Sequence, residues 1–198
     1  MVYPDSGTDL RSSALDSGVV TDVNGSLRDM ARRIEHRATT RWTAAQVHAA
    51  LVDPTYLQDR LTVLGGKGAT LLEHSSDNGN SRFRLRHGIA SADLPPAVRS
   101  FLKGDLVIER TETWQPATNG GYQGTVQAGI PGVPGHIKGQ MLLVDGADGG
   151  SVLGMRGEVV VNIPLFGGKI EETIAAQVVK LLQKESEHTA GWLAEHSS

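Results

Sequence analysis

The sequence predicts an α+β fold in which a curved antiparallel sheet of about seven strands wraps one long C-terminal helix. Three observations predict it. Six strand-like segments follow one another between residues 69 and 163, punctuated by glycine-rich turns. One long amphipathic segment comes after them. A further strand and two short helices come before. Hairpin-linked strands need a partner for their apolar face, and only one long helix is available for them to bend around.

Composition narrows the class. A chain of 198 residues favours one domain. It has no cysteine, which removes disulfides, thiolate metal sites and cysteine nucleophiles. Lys+Arg 19 against Asp+Glu 22 gives a net charge of -3, so nothing favours nucleic acid. Aromatics at 5% argue against base-stacking surfaces. No stretch approaches the roughly 20 apolar residues of a membrane span. The opening MVYPDSGTDLRSSALDSGVV lacks the positive start and apolar core of a secretory signal. The expected location is cytoplasmic.

Residues 1–29 are rich in Ser, Asp and Gly without a sustained period, and are expected to form a disordered tail. The folded domain is expected over 30–198. Met30 stands directly before the first patterned residues and is a candidate start of the native chain. From Arg32 to Thr40, Ile34, His36 and Ala38 alternate with Arg33, Glu35 and Arg37, a half-buried strand. Thr43-Ala44-Ala45-Gln46 is a capping box that opens a helix. Asp53-Pro54 opens a second, with Tyr56, Leu57, Leu61 and Leu64 as its apolar face. Strands are expected over Ala69–His74, Arg82–Ala90, Asp105–Gln115, Tyr122–Ile130, His136–Val144 and Ser151–Ile163. A short helix is expected from Leu94 to Leu102. After Gly167-Gly168, a helix of about 27 residues, roughly 40 Å long, runs to the end. Its apolar line is Ile170, Ile174, Val178 and Leu181.

This order resembles the START-like helix-grip superfamily, which includes the birch pollen allergen, lipid-transfer domains and polyketide cyclases. Three segments are similar to an actinobacterial family, domain of unknown function 2505. They are Gly104-Asp105-Leu106-Val107-Ile108-Glu109-Arg110-Thr111-Glu112-Thr113-Trp114, Val133-Pro134-Gly135, and Val161 to Glu171 with its Pro164-Leu165-Phe166-Gly167-Gly168. The resemblance runs from about Met30 to Leu193. The superfamily implies binding of an apolar ligand or, less often, catalysis in the same cavity. The helical insert near Pro95 and the tail depart from its simplest members.

Strand parity supplies candidate cavity residues. On the first strand His36 faces inward; on the third, Phe83, Leu85 and His87 do, with Arg82, Arg84 and Arg86 outside. On the fourth, Leu106, Ile108, Arg110, Glu112 and Trp114 share a face, which puts an Arg–Glu pair inside. Such a pair needs full hydrogen bonding. It is either a structural ion pair or an anchor for an acidic ligand group. Val126, Met141 and Met155 complete the inward set on later strands, where methionines fill cores and also adapt to ligands. On the long helix the apolar line turns polar at Glu185 and His188 before Trp192. That is either a wet cavity lining or a solvated helix end. The cavity is expected beneath Glu185 to Trp192, facing Arg110 and Glu112.

Neither glycine-rich segment is a phosphate loop. Gly65-Gly66-Lys67-Gly68 lies between a helix and a strand, the reverse of that motif, and Gly167-Gly168-Lys169 lacks its first glycine and its Ser or Thr. The apolar loop Gly129–Gly135 is a stiff hairpin connection or a gate over a cavity mouth. No cofactor or metal is expected, and no residue is assigned a catalytic role. The expected partner is an apolar or amphipathic small molecule, such as a lipid or polyketide-like metabolite. One alternative is a cyclase- or hydrolase-type enzyme using His36, His87 or His188 with Glu112. A second is a protein-interaction or regulatory domain that presents Arg82, Arg84 and Arg86.

Overall fold

A computed structural model of the chain describes residues 31–94, 96–100, 104–162 and 167–196. The expected tail and Met30 lie outside the described residues. The first alternating segment is strand β1 (Arg32–Thr40), with Ile34 buried between exposed Arg33 and Glu35. Helix α1 (Ala44–Leu51) starts as its capping box dictates. Thr43 Oγ1 accepts from the Gln46 amide at 3.3 Å, and Gln46 Oε1 accepts from the Thr43 amide at 3.0 Å. Helix α2 (Pro54–Leu64) is capped by Asp53, whose Oδ1 accepts from the amides of Thr55 at 2.7 Å and Tyr56 at 3.0 Å. Proline at N1 has no amide to leave unsatisfied.

Six strands follow: β2 (Thr70–Asp77), β3 (Asn80–Ile89), β4 (Leu106–Pro116), β5 (Tyr122–Gly129), β6 (Gly135–Asp145) and β7 (Ser151–Val161). They join β1 in one seven-stranded antiparallel sheet of order β1-β7-β6-β5-β4-β3-β2. The β2–β3 hairpin is longer than expected. Its turn is only Asn78-Gly79, with φ angles of 50° and 79°. That two-residue geometry draws the serines into the ladder, where Ser76 and Ser81 hydroxyls meet at 2.9 Å. Between β3 and β4 a 3-10 turn (Ser91–Asp93) leads into α3 (Pro96–Arg99). Of the helix expected from Leu94 to Leu102, Pro95, Phe101 and Leu102 lie outside the described residues.

Helix α4 (Gly167–His196) packs against β1 and β7 within the sheet and against α1, α2 and α3. The most deeply buried side chains include Tyr56, Leu57 and Leu61 of α2, Phe83 and Leu85 of β3, Trp114 of β4 and Leu143 of β6. Among the described residues no helix is long and apolar enough to cross a membrane.

Candidate functional site

Four charged side chains meet in the interior. The β4 parity turns Arg110 and Glu112 inward, α2 contributes Arg60 from its apolar face, and α4 contributes Glu185. All four are buried. Arg60 Nη2 donates to Glu112 Oε1 at 3.2 Å. Arg110 Nε lies 2.9 Å from the same oxygen, close enough to pair but not aligned for a hydrogen bond. Arg110 Nη1 donates to both Glu185 oxygens, at 2.8 and 3.1 Å. The chain Arg60–Glu112–Arg110–Glu185 therefore balances two positive charges with two negative ones.

The charges stabilise one another against the cost of burial. Burial favours the neutral form of Glu185, but Arg110 and Arg60 outweigh it and hold the carboxyl below its ordinary range. Burial also works against the Arg60 cation, and Glu185 and Glu112 outweigh that too. Hydroxyls close the cluster on the α4 side. Thr189 Oγ1 donates to the Glu185 carbonyl at 2.7 Å, so the Tyr56 hydroxyl is the donor in their 2.6 Å contact. Ser186 donates to the Leu182 carbonyl at 2.9 Å, which leaves His36 Nε2 as donor to Ser186 Oγ, also at 2.9 Å.

Two spaces adjoin this cluster. A small void of about 40 Å³ is walled by His36, Arg60, Arg110, Glu112, Trp114 and Glu185, among others. Polar side chains and apolar ones such as Leu51, Met141 and Leu182 share its wall, and it is large enough for water. The second is a cavity of about 870 Å³ between the sheet and the first half of α4. Its walls are mainly apolar. Ile108, Val126, Ala128 and Val159 come from the sheet, Ile174, Val178 and Leu181 from α4, and Ile130 and Val133 from the β5–β6 loop. Exposed Lys180, Lys184 and Glu187 border it, so that side opens to solvent. Arg110, Met155 and Leu182 wall both spaces. His87 also lines the large cavity. It is 7% exposed, and its Nε2 has no hydrogen-bond partner among the described residues. Burial, reinforced by Arg110, pushes its pKa down to about 4, so the ring is neutral at physiological pH.

The expected cavity residues separate into groups. His87, Ile108, Arg110, Val126 and Met155 border the large cavity; His36, Glu112, Trp114, Met141 and Glu185 border the small one. Phe83 and Leu85 are wholly buried in the core. His188 and Trp192 line neither space. His188 Nε2 lies 3.1 Å from Asp59 on α2, and Trp192 packs edge-on against Tyr56. The cavity thus lies under Thr173 to Glu187, displaced toward the helix start from the expected Glu185–Trp192, because α2 fills the space beneath the last turns. The expected acid–base pairs do not form either. His36 bonds Ser186, His188 faces Asp59, and Glu112 is taken up by two arginines. On the outer face, Arg84 and Arg86 pair with Glu73 and Glu109.

Arg60 was not legible as a site residue, although a signal existed. Positions 56, 57, 60, 61 and 64 form one helical stripe, and Arg60 interrupts it where every neighbour is apolar.

The profile of the family described as "Protein of unknown function (DUF2505)" matches residues 35–193. The chain belongs to the DUF2505 family. One relative is the uncharacterized protein Rv0481c of Mycobacterium tuberculosis, 28% identical over 170 residues, covering 83% of this chain and 98% of the relative. Mb0491c of Mycobacterium bovis matches with the same figures. Among solved structures, Ara h 8.0201 superposes with a TM-score of 0.54 at 11% identity, covering 84% of this chain and 99% of that one. A norcoclaurine synthase of Thalictrum flavum, solved with a transition-state analogue, gives 0.54 at 16% identity, covering 85% and 97%. At such identities the likeness is one of fold. This DUF2505 protein has the expected START-like helix-grip architecture.

Proposed function

We propose that the protein binds or carries an apolar or amphipathic small molecule in the cavity between the sheet and the first half of α4. The observation that carries this reading is the cavity itself. About 870 Å³ with mainly apolar walls and an opening to solvent falls within the range of small-molecule sites. A folded domain does not keep so large an apolar space without loss of packing energy, which a ligand would restore. The ionic cluster supports the reading as a rigid floor that fixes β4 against α2 and α4.

Native mass spectrometry of the protein purified from its own host tests this. The expected result is a population heavier than the bare chain by the mass of a small molecule, which is released on unfolding. A uniformly bare protein that also fails to take up a neutral apolar dye would sink the proposal.

A further inference from the structure

Resting on that binding reading, we propose that the ligand is uncharged and presents a hydroxyl or carbonyl group to His87, and that the cavity discriminates against free carboxylates. The inference comes from the wall where the cavity meets the ionic cluster. Arg110 is the one guanidinium lining the cavity among the described residues. Its Nη1 is held by both oxygens of Glu185, and its Nε faces Glu112 at 2.9 Å. With Arg60 the four groups sum to zero charge. A carboxylate entering here meets a neutral cluster, loses its hydration and adds one uncompensated negative charge beside Glu185 and Glu112. Lys180 and Lys184 at the mouth are exposed, so they offer an anion only a screened attraction, offset by Glu187 nearby.

The neutral ring of His87 lines the same cavity as the arginine. Its imidazole lines the cavity, is almost fully buried and leaves Nε2 unbonded among the described residues. A neutral imidazole has one N–H donor and one acceptor nitrogen. A hydroxyl can satisfy either, and a carbonyl can accept from the donor. Nε2 is closed off from the cavity with the ring as it stands, so a neutral polar group bonds it only as the ring turns toward the cavity, and then satisfies a buried polar atom without importing charge.

The test is competition at pH 7.5 for the uncharged dye N-phenyl-1-naphthylamine, using 1-dodecanol and dodecanoate on the full chain. Dodecanol is expected to displace the dye at a concentration lower by about tenfold or more. Equal displacement, or a preference for dodecanoate, overturns the inference while leaving the binding reading intact. Failure of the dye and of both competitors to bind overturns the binding reading, and this inference with it. Two variants locate the cause. Glu185→Gln leaves the cluster with net positive charge and is expected to shift the preference toward dodecanoate by about tenfold; no shift contradicts the charge-balance argument. His87→Phe is expected to weaken dodecanol several-fold and leave dodecanoate unchanged, and an unchanged dodecanol affinity removes His87 from the site. The comparison on the unmutated protein stands even if a variant does not fold.

Discussion

Glu112 accepts from Arg60 on α2 and pairs with Arg110 on its own strand, in a setting where its side chain is 3% exposed. Removing one partner from such a cluster strands a buried charge, which costs about 3–5 kcal/mol. Urea titration of Glu112→Leu is expected to show a loss of that size. The double variant Arg60→Met, Glu112→Leu keeps the cluster neutral and is expected to recover much of it; strictly additive losses would deny the coupling. His87 makes a second prediction. Its pKa is about 4 in the folded protein against 6.5 for the free side chain, so between those values the unfolded chain binds more protons. Stability therefore falls as pH drops from about 6.5 toward about 4, by on the order of 3 kcal/mol at most. His36 and His48, also lowered by burial, act in the same direction. Unfolding measured at pH 7 and pH 5 is expected to show a shallower pH slope for His87→Phe; an unchanged slope would mean that His87 is not buried as a neutral ring. Strand parity was enough to turn Arg110, Glu112 and His87 inward, because alternation alone fixes facing. Arg60 escaped because an arginine in an apolar stripe looks like a solvated edge until its carboxylate partners are placed.

The elements divide into those set by local chemistry and those set by what they pack on. Helix α1 is of the first kind. Besides its capping box, its first amide donates to Asp145 Oδ1 at 2.6 Å, which ties the helix start to the end of β6. Thr43→Ala is expected to lower stability by about 1 kcal/mol, measured by thermal unfolding. The turn after α2 is fixed by close backbone approach. Gly88 on β3 donates to the Gly65 carbonyl at 2.9 Å, and a Cβ at Gly88 would overlap the Lys67 carbonyl. Helix α4 is of the second kind. Glu185, Thr189 and Leu193 are buried against their neighbours, as Ile170, Ala175 and Leu182 are earlier, whereas Ile174, Val178 and Leu181 are only half-buried over the cavity. In ligand-free protein the amides of Thr173–Leu182 are expected to exchange hydrogen faster than those of Glu185–Leu193, with the difference narrowing on ligand binding. Uniform protection along the helix would contradict a cavity beneath it. The helix was legible from its 3.6-residue period, but the difference between its halves was not. The apolar line Ile174, Val178 and Leu181 stays half-buried over the cavity, whereas Thr189 and Trp192 farther along meet Tyr56 of α2.

For the whole molecule, the strand order and the single gripped helix were legible because turn chemistry and periodicity both report on chain path. Asn78-Gly79 and the glycines after Asn119 and Asp148 marked the reversals, and each has positive φ at one or more glycines. The position of the empty space was not legible. Periodicity tells which way a side chain points, not how far away the opposite wall stands. That distance depends on Tyr56 and Arg60 filling one end, while smaller residues such as Ala128 and Gly129 leave the other open. Ala128 offers the most direct test of the central claim: it lines the cavity from β5, directly across from Arg110 on β4, so a larger side chain there would occupy the space beside the ionic floor. We would titrate wild type and Ala128→Phe with N-phenyl-1-naphthylamine and follow its fluorescence. A ligand cavity under the first half of α4 predicts saturable one-to-one binding to the wild type, and binding at least about tenfold weaker to a variant of equal or higher thermal stability. Equal binding by both proteins, or a variant that unfolds because no space was there to fill, would contradict it.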